Sequence, residues 1–203
     1  MTAKEFSVIG KELLSYLPGF ALKGRLVFIK PIVHTLRAIY FDASGFDRKF
    51  FYVNVFLQPL AIRVDHFIFS AGWRLGKLWT ADAPDLIPQL RKIIHAEALP
   101  FLARAESPQG AAAAAIALQK SEDPGVQQVI AYSFARAGEI TKASNALDRF
   151  VRLLNVTFEG QRKMADEAMQ LRAQLLSRPD EAQRQLDMWE METVRNLRLE
   201  EFR

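Results

Sequence analysis

The fold is decided by residues 50–58, FFYVNVFLQ. The odd positions of this run are all apolar, whereas its even positions mix aromatic and polar side chains. Successive side chains of a β-strand point to opposite faces of a sheet, so this alternation predicts a strand with one side toward a core. Its aromatic and β-branched residues are also those that strands favour.

Similar runs at residues 24–30, 33–41 and 66–75 predict three more strands. Residues 42–47, DASGFD, are rich in turn formers and indicate a hairpin loop. Consecutive strands joined by such short loops pair antiparallel, so we expect one antiparallel sheet of about four strands. Helices are predicted at residues 3–16 and 84–104, the second with bends at its prolines. One apolar set is predicted to form the core face of the sheet: Leu26, Phe28, Leu36, Ala38, Tyr40, Phe51, Val53, Val55, Leu57, Phe67, Phe69, Ala71 and Trp73.

Alanine replaces the aromatic residues after the loop at residues 107–110, since 15 of the 22 Phe, Tyr and Trp residues precede position 101. Helical spacing predicts helices over residues 111–120, 126–137, 141–154, 158–176 and 180–202. The predicted class is therefore α+β: a sheet domain flanked by helices at residues 1–106 and an all-helical domain at 107–203.

A helical hairpin over residues 126–154 resembles the tetratricopeptide repeat. Ile130, Ala131, Phe134, Gly138 and Ala143 occupy the family's leucine, small, aromatic, turn-glycine and alanine positions. Residues 127, 150 and 155 depart from the family pattern, and no second copy lies 34 residues away. The resemblance implies one hairpin and not a repeat array, because an array needs about three repeats.

The first 75 residues also resemble an uncharacterised bacterial α+β domain family of unknown function. A leading helix, the segment Pro18–Gly24 and the aromatic runs through Trp73 carry this second resemblance. It implies a fold and no chemistry.

Composition excludes several classes of protein. The 203 residues contain no cysteine, which excludes disulfide scaffolds and thiolate metal sites and favours a cytoplasmic location. The charged N-terminus predicts no secretion signal, and no apolar run is long enough to span a membrane. The net charge of +4 is scattered along the chain, which disfavours nucleic acid as a partner.

Short catalytic motifs do not identify an enzyme class. No phosphate loop, dinucleotide fingerprint or metalloprotease motif occurs, and His95-Ala96-Glu97 lacks the thiolates that a zinc deaminase needs. We expect no metal and no cofactor. Asp65 is not expected to orient His66 if both lie on a strand, an objection that weakens if they lie in a loop.

The side of the strands opposite the apolar set mixes polar and aromatic residues, and it supplies the predicted binding residues: Arg25, Arg37, Tyr52, Asn54, His66 and Arg74. We expect the three arginines to share one sheet face, together with an acidic group that separates their charges. That group is either a ligand or an acidic residue of the last helix, such as Glu190 or Glu192. In that helix, the apolar stripe around Trp189 indicates core packing or a partner-helix surface.

These observations predict a non-enzymatic protein-binding or regulatory module that uses the mixed sheet face and the C-terminal helix. The partner is expected to be a protein of unknown identity, with a small anion as the other ligand considered. The alternative is an enzyme that acts on a small anionic substrate, with His66 as its acid or base. A module should show a shallow surface there and an enzyme a pocket. The sequence leaves the oligomeric state open.

Overall fold

The alternating runs form one antiparallel sheet in the computed structural model, which describes residues 2–47 and 49–203. In chain order the elements are helix α1 (Ala3–Leu14), strands β1 (Phe20–Lys23), β2 (Leu26–Ile29), β3 (Thr35–Ala43), β4 (Phe50–Pro59), β5 (Gly72–Arg74) and β6 (Trp79–Thr80), and helices α2 (Leu86–Ile93), α3 (Leu99–Arg104), α4 (Pro108–Ile116), α5 (Pro124–Arg136), α6 (Ile140–Leu153), α7 (Glu159–Ser177) and α8 (Pro179–Asn196), followed by a 3-10 turn (Glu200–Phe202).

The strand order is β1-β2-β3-β4-β5, and β6 also pairs with β4. Every pairing is antiparallel, and no strand occurs in the described chain after residue 110. The predicted α+β class is confirmed. Two details of the prediction are wrong: β1 and β6 were not expected, and the strand predicted at 66–75 shrinks to Gly72–Arg74 because residues 60–71 form an irregular segment.

The prediction of a single apolar core face is also wrong. Ala38 of β3 lies opposite Phe56 of β4, so the even-numbered residues of both strands share one face. The residues of β2 and β3 that were predicted for the core face, such as Phe28 and Ala38, therefore point to one side, whereas Val53 and Val55 of β4 point to the other. Both faces of the sheet carry buried apolar residues, with Ala38 opposite Phe56 on one face and Ile39 opposite Val55 on the other.

The face that carries Val53 and Val55, here the helix face, packs under the helices. Phe6 of α1 lies 6.0 Å from Phe41 and 5.8 Å from Phe51, measured between ring centroids. Its core continues without a break into the helical half. Burying one such side chain stabilises a fold by about 1.5–3 kcal/mol. The domain boundary at 106 and 107 stays a prediction.

The opposite face, here the tail face, is covered by the end of the chain. Phe28 packs edge-on against Phe202, with their ring centroids 4.9 Å apart. Val194, Leu197 and Leu199 belong to the same buried cluster. A hydrogen bond of 2.8 Å from the Ile32 amide to the Phe202 carbonyl fixes the tail there.

The predicted helices are present with small shifts at their ends. The segment predicted at 84–104 is α2 and α3 joined by a π-helical turn at Ile94–Ala98. This turn ends two residues before Pro100, which has no N–H to continue a regular helix. In α8, Leu186, Trp189 and Val194 are buried, as is Leu197 directly after the helix, which agrees with core packing, whereas Met188 and Met191 are exposed.

Helices α5 and α6 form the predicted hairpin. Gly138 lies in the turn between them with a φ of 74°, a left-handed conformation that glycine adopts without steric cost. Ala131 and Ala143 are both completely buried. Helices α7 and α8 follow, and α8 packs back against α5, where Trp189 meets Tyr132 with centroids 6.2 Å apart.

Replacing Ala143 with Leu should overpack the hairpin and lower the free energy of unfolding by about 1–3 kcal/mol. The control Thr141→Leu adds the same side chain at an exposed position of the same helix and should change little. Urea denaturation of both variants measures the difference. Equal midpoints for the two would contradict the close packing of this hairpin.

Candidate functional site

Part of the tail face is left uncovered by the C-terminal segment. The register places Leu26, Tyr40, Asn54 and Arg74 in one row across β2 to β5. Leu26 is buried under the tail, whereas Tyr40 and Asn54 are partly exposed and Arg74 is exposed. The cover therefore ends partway along this row.

Aromatic rings surround the uncovered end. The Arg74 guanidinium lies 4.0 Å from the centroid of the Tyr52 ring. Tyr40 lies 5.3 Å from Phe69, whose side chain is 38% exposed. A cation held over an aromatic face in this way is fixed in position while its charge stays available. We name the set Tyr40, Tyr52, Asn54, Phe69 and Arg74 the tail-face patch.

Two of the three predicted arginines lie on the other side of the sheet. Arg37 is opposite Leu57 and so belongs to the helix face, where its Nη1 donates to the Leu102 carbonyl at 3.5 Å. Partial burial lowers the pKa of the Arg37 guanidinium, and the charge of Glu106 opposes that shift. Arg25 packs over the Phe6 ring of α1, 4.9 Å from its centroid. The expectation that all three arginines share one face is therefore wrong.

The structure brings together Tyr52, Asn54 and Arg74 from the predicted set. The reason for the error is the register: the even-numbered residues of β3, β4 and β5 share the tail face, so Arg74 lies there and Arg37 lies on the helix face. Tyr40 and Phe69 were assigned to the core and join the patch instead.

His66 lies in the irregular segment before β5. Its Nδ1 is 2.8 Å from the Asp65 carboxylate, so Asp65 does orient the ring once the residues are in a loop. This hydrogen bond lowers the pKa of the Asp65 carboxyl. The His66 side chain is 71% exposed, and it lines none of the concave sites described below. The buried Gln58 holds this segment against the tail face by accepting from the Ile68 amide at 2.9 Å.

A buried ion cluster was not anticipated from sequence. Glu190 of α8 is 1% exposed and lies 3.1 Å from Arg136 Nε, 3.0 Å from His34 Nδ1 and 3.3 Å from Arg203 Nη2. Arg136 also contacts Asp187 at 2.6 Å. We name these five residues the Glu190 cluster. It joins the segment before β3, helix α5, helix α8 and the tail.

His34 has two alternative roles in this cluster. Its Nδ1 lies 3.0 Å from a Glu190 carboxylate oxygen and 3.0 Å from Arg136 Nε. With a proton, Nδ1 donates to Glu190, and without one it accepts from Arg136. Burial raises the pKa of the Glu190 carboxyl, and the charges of Arg136, His34 and Arg203 oppose that rise.

Acidic residues of α8 do pair with residues from the N-terminal half, but not with Arg25, Arg37 or Arg74 as was expected. Glu190 binds the cluster above, and Glu192 accepts from Arg63 Nε at 3.0 Å. No sequence signal joins His34 to Glu190, because 156 positions separate them.

Five of the more pronounced grooves among the described residues have volumes of about 240–630 Å³. None of them is lined by a residue of the tail-face patch. Within residues 2–47 and 49–203, no three His, Asp or Glu side chains are grouped to hold a metal ion. No helix in that part of the chain is both long and apolar enough to cross a bilayer.

Comparisons with known proteins give no relative. No protein-family model matches the chain, and neither the curated proteins nor the solved structures contain a significant match. The two resemblances stated from sequence therefore stay expectations, and the function rests on the geometry alone.

The raised pKa of Glu190 gives a pH-dependent prediction. A carboxyl with a higher pKa in the folded than in the unfolded chain favours the fold when protonated, and this contribution is lost as pH rises through the folded pKa. Between about pH 7 and pH 5, the wild type should therefore gain free energy of unfolding relative to Glu190→Gln, which cannot titrate.

Urea denaturation across that pH range measures this difference, and repeating it in the His34→Asn background removes the neighbouring imidazole. If the wild type instead loses stability relative to Glu190→Gln on acidification, the three cations outweigh the burial of the carboxylate.

Proposed function

We propose that the protein is a non-enzymatic protein-binding module whose contact surface is the tail-face patch. The observation that carries the proposal is the uncovered end of a sheet that is otherwise buried on both faces. Where the cover of a sheet face ends, the apolar surface beyond it is exposed, and a partner protein can cover that surface.

The residues of the patch fit this role. Tyrosine and arginine are enriched at protein interfaces, and they supply much of the binding energy there. Arg74 stacks on Tyr52, and no carboxylate of the described residues lies within 4.0 Å of it. A partner that presents a carboxylate beside an apolar side chain would neutralise Arg74 and cover Phe69 together.

The shape of the patch favours binding over catalysis. An enzyme acting on a small anion would hold its substrate in a concave site with converging titratable groups. The tail-face patch lines none of these five grooves. His66 is exposed, and Arg25 and Arg37 lie on the helix face, away from the patch. The exposed side of α8 around Met188 and Met191 stays a second predicted contact surface.

Photocrosslinking in the cells that natively produce the protein tests the proposal. Benzoylphenylalanine at position 69 should give a discrete adduct with one protein, whereas the same group at the exposed Phe158 should not. Arg74→Glu should reduce the adduct at least several-fold, while Arg184→Glu, an equal charge change at an exposed site on α8, should leave it intact. No adduct at position 69, or the same adducts from both positions, would contradict a binding surface here.

A further inference from the structure

A second surface lies on the helical half, in a groove of about 460 Å³ between α4, α5 and α6. It lies beside the C-terminal end of α4 and the connection to α5, and it is lined there by Ala115, Ile116, Gln119, Lys120 and Ser121. The chain turns away at Gln119, whose φ is 56°.

The floor of the groove is apolar. Ile116, Val126 and Ile130 line it, and Ile116 is 52% exposed. The Ile116 side chain thus has exposed apolar surface at the end of α4 that no other part of the described chain covers. The floor therefore suits an aliphatic side chain of a ligand.

The rim of the groove is basic. It carries Lys120, Lys142, Arg149 and Arg152 and no acidic side chain. Arg149 pairs with the exposed Glu122 at 2.8 Å, and Lys142 pairs with Glu139 at 3.3 Å. Such exposed pairs contribute little and are readily exchanged. Arg152 has no carboxylate of the described residues within 4.0 Å.

From this combination we propose that the groove binds an acidic segment of a partner protein that carries a large aliphatic side chain. Carboxylates of the segment would pair with Arg152 and Arg149, and its aliphatic residue would lie on the Ile116 floor. The amides of Gln119 and Asn145 line the same groove and can bond to a peptide backbone.

A protein segment fits better than a nucleic acid. Single-stranded nucleic acids bind by stacking bases on aromatic side chains, and no aromatic residue lines this groove.

The test uses the full-length chain and a labelled synthetic 14-residue peptide of glutamate, alanine and leucine, with the leucines at helical spacing. Fluorescence anisotropy at low salt should show saturable binding. The double variant Arg149→Glu and Arg152→Glu should weaken binding at least tenfold. The matched control Arg162→Glu and Arg184→Glu makes the same charge change at exposed sites outside the groove and should alter the Kd less than twofold.

A second arm addresses the floor. Ile116→Ser, at an already exposed position, should weaken binding several-fold, and so should a peptide with alanine in place of leucine. The proposal is overturned if the leucine peptide does not saturate, if the control variant weakens binding as much as the groove variant, or if the alanine peptide binds equally well. Tighter binding of a 14-nucleotide oligothymidylate with the same dependence on Arg149 and Arg152 would assign the groove to nucleic acid instead.

Discussion

Burial of the sheet on both faces is the constraint on which the rest of the structure depends. A sheet with apolar residues on both sides must be covered on both sides, and the two covers come from different parts of the chain. The helices from α1 to α5 cover the helix face, and the end of α8 with the tail covers the other. The packing of Phe28 against Phe202 thus makes the last residues part of the core of the first strands.

The Glu190 cluster determines how that end is held. Charged groups are costly to bury unless they are paired, and here one carboxylate faces Arg136, Arg203 and His34 from three other segments. The cluster connects α8 to α5, to the segment before β3 and to the tail. With α8 fixed, the tail reaches as far as Leu26 and leaves Tyr40, Asn54 and Arg74 uncovered. The proposed binding surface is therefore a consequence of how much of the sheet the tail can cover.

The features of the fold that depend on local sequence patterns could be predicted from the sequence. The class, the β3–β4 hairpin, the antiparallel pairing and the helix positions follow from periodicity and turn residues, which act over a few positions. The face on which each side chain lies could not be predicted in this way. It depends on how neighbouring strands pair, as Ala38 does with Phe56, and the sequence of a single strand does not contain that register. Phe67 and Phe69 were wrongly assigned to a strand, because apolar and polar residues also alternate in this loop, which packs on an apolar sheet face. Three of the six predicted site residues meet, and the Glu190 cluster was missed because its members are distant in sequence.

The contribution of the tail to the core is tested most directly by truncating one tail side chain. Leu199 is completely buried on the tail face, so Leu199→Ala should lower the free energy of unfolding by about 2–5 kcal/mol in a single cooperative transition. Leu176→Ala, the same change at a side chain that is 56% exposed, should change it by less than about 0.5 kcal/mol. Urea denaturation followed by circular dichroism measures both. If Leu199→Ala is as stable as Leu176→Ala, the tail does not complete the core of the sheet, and the tail-face patch is not bounded as described.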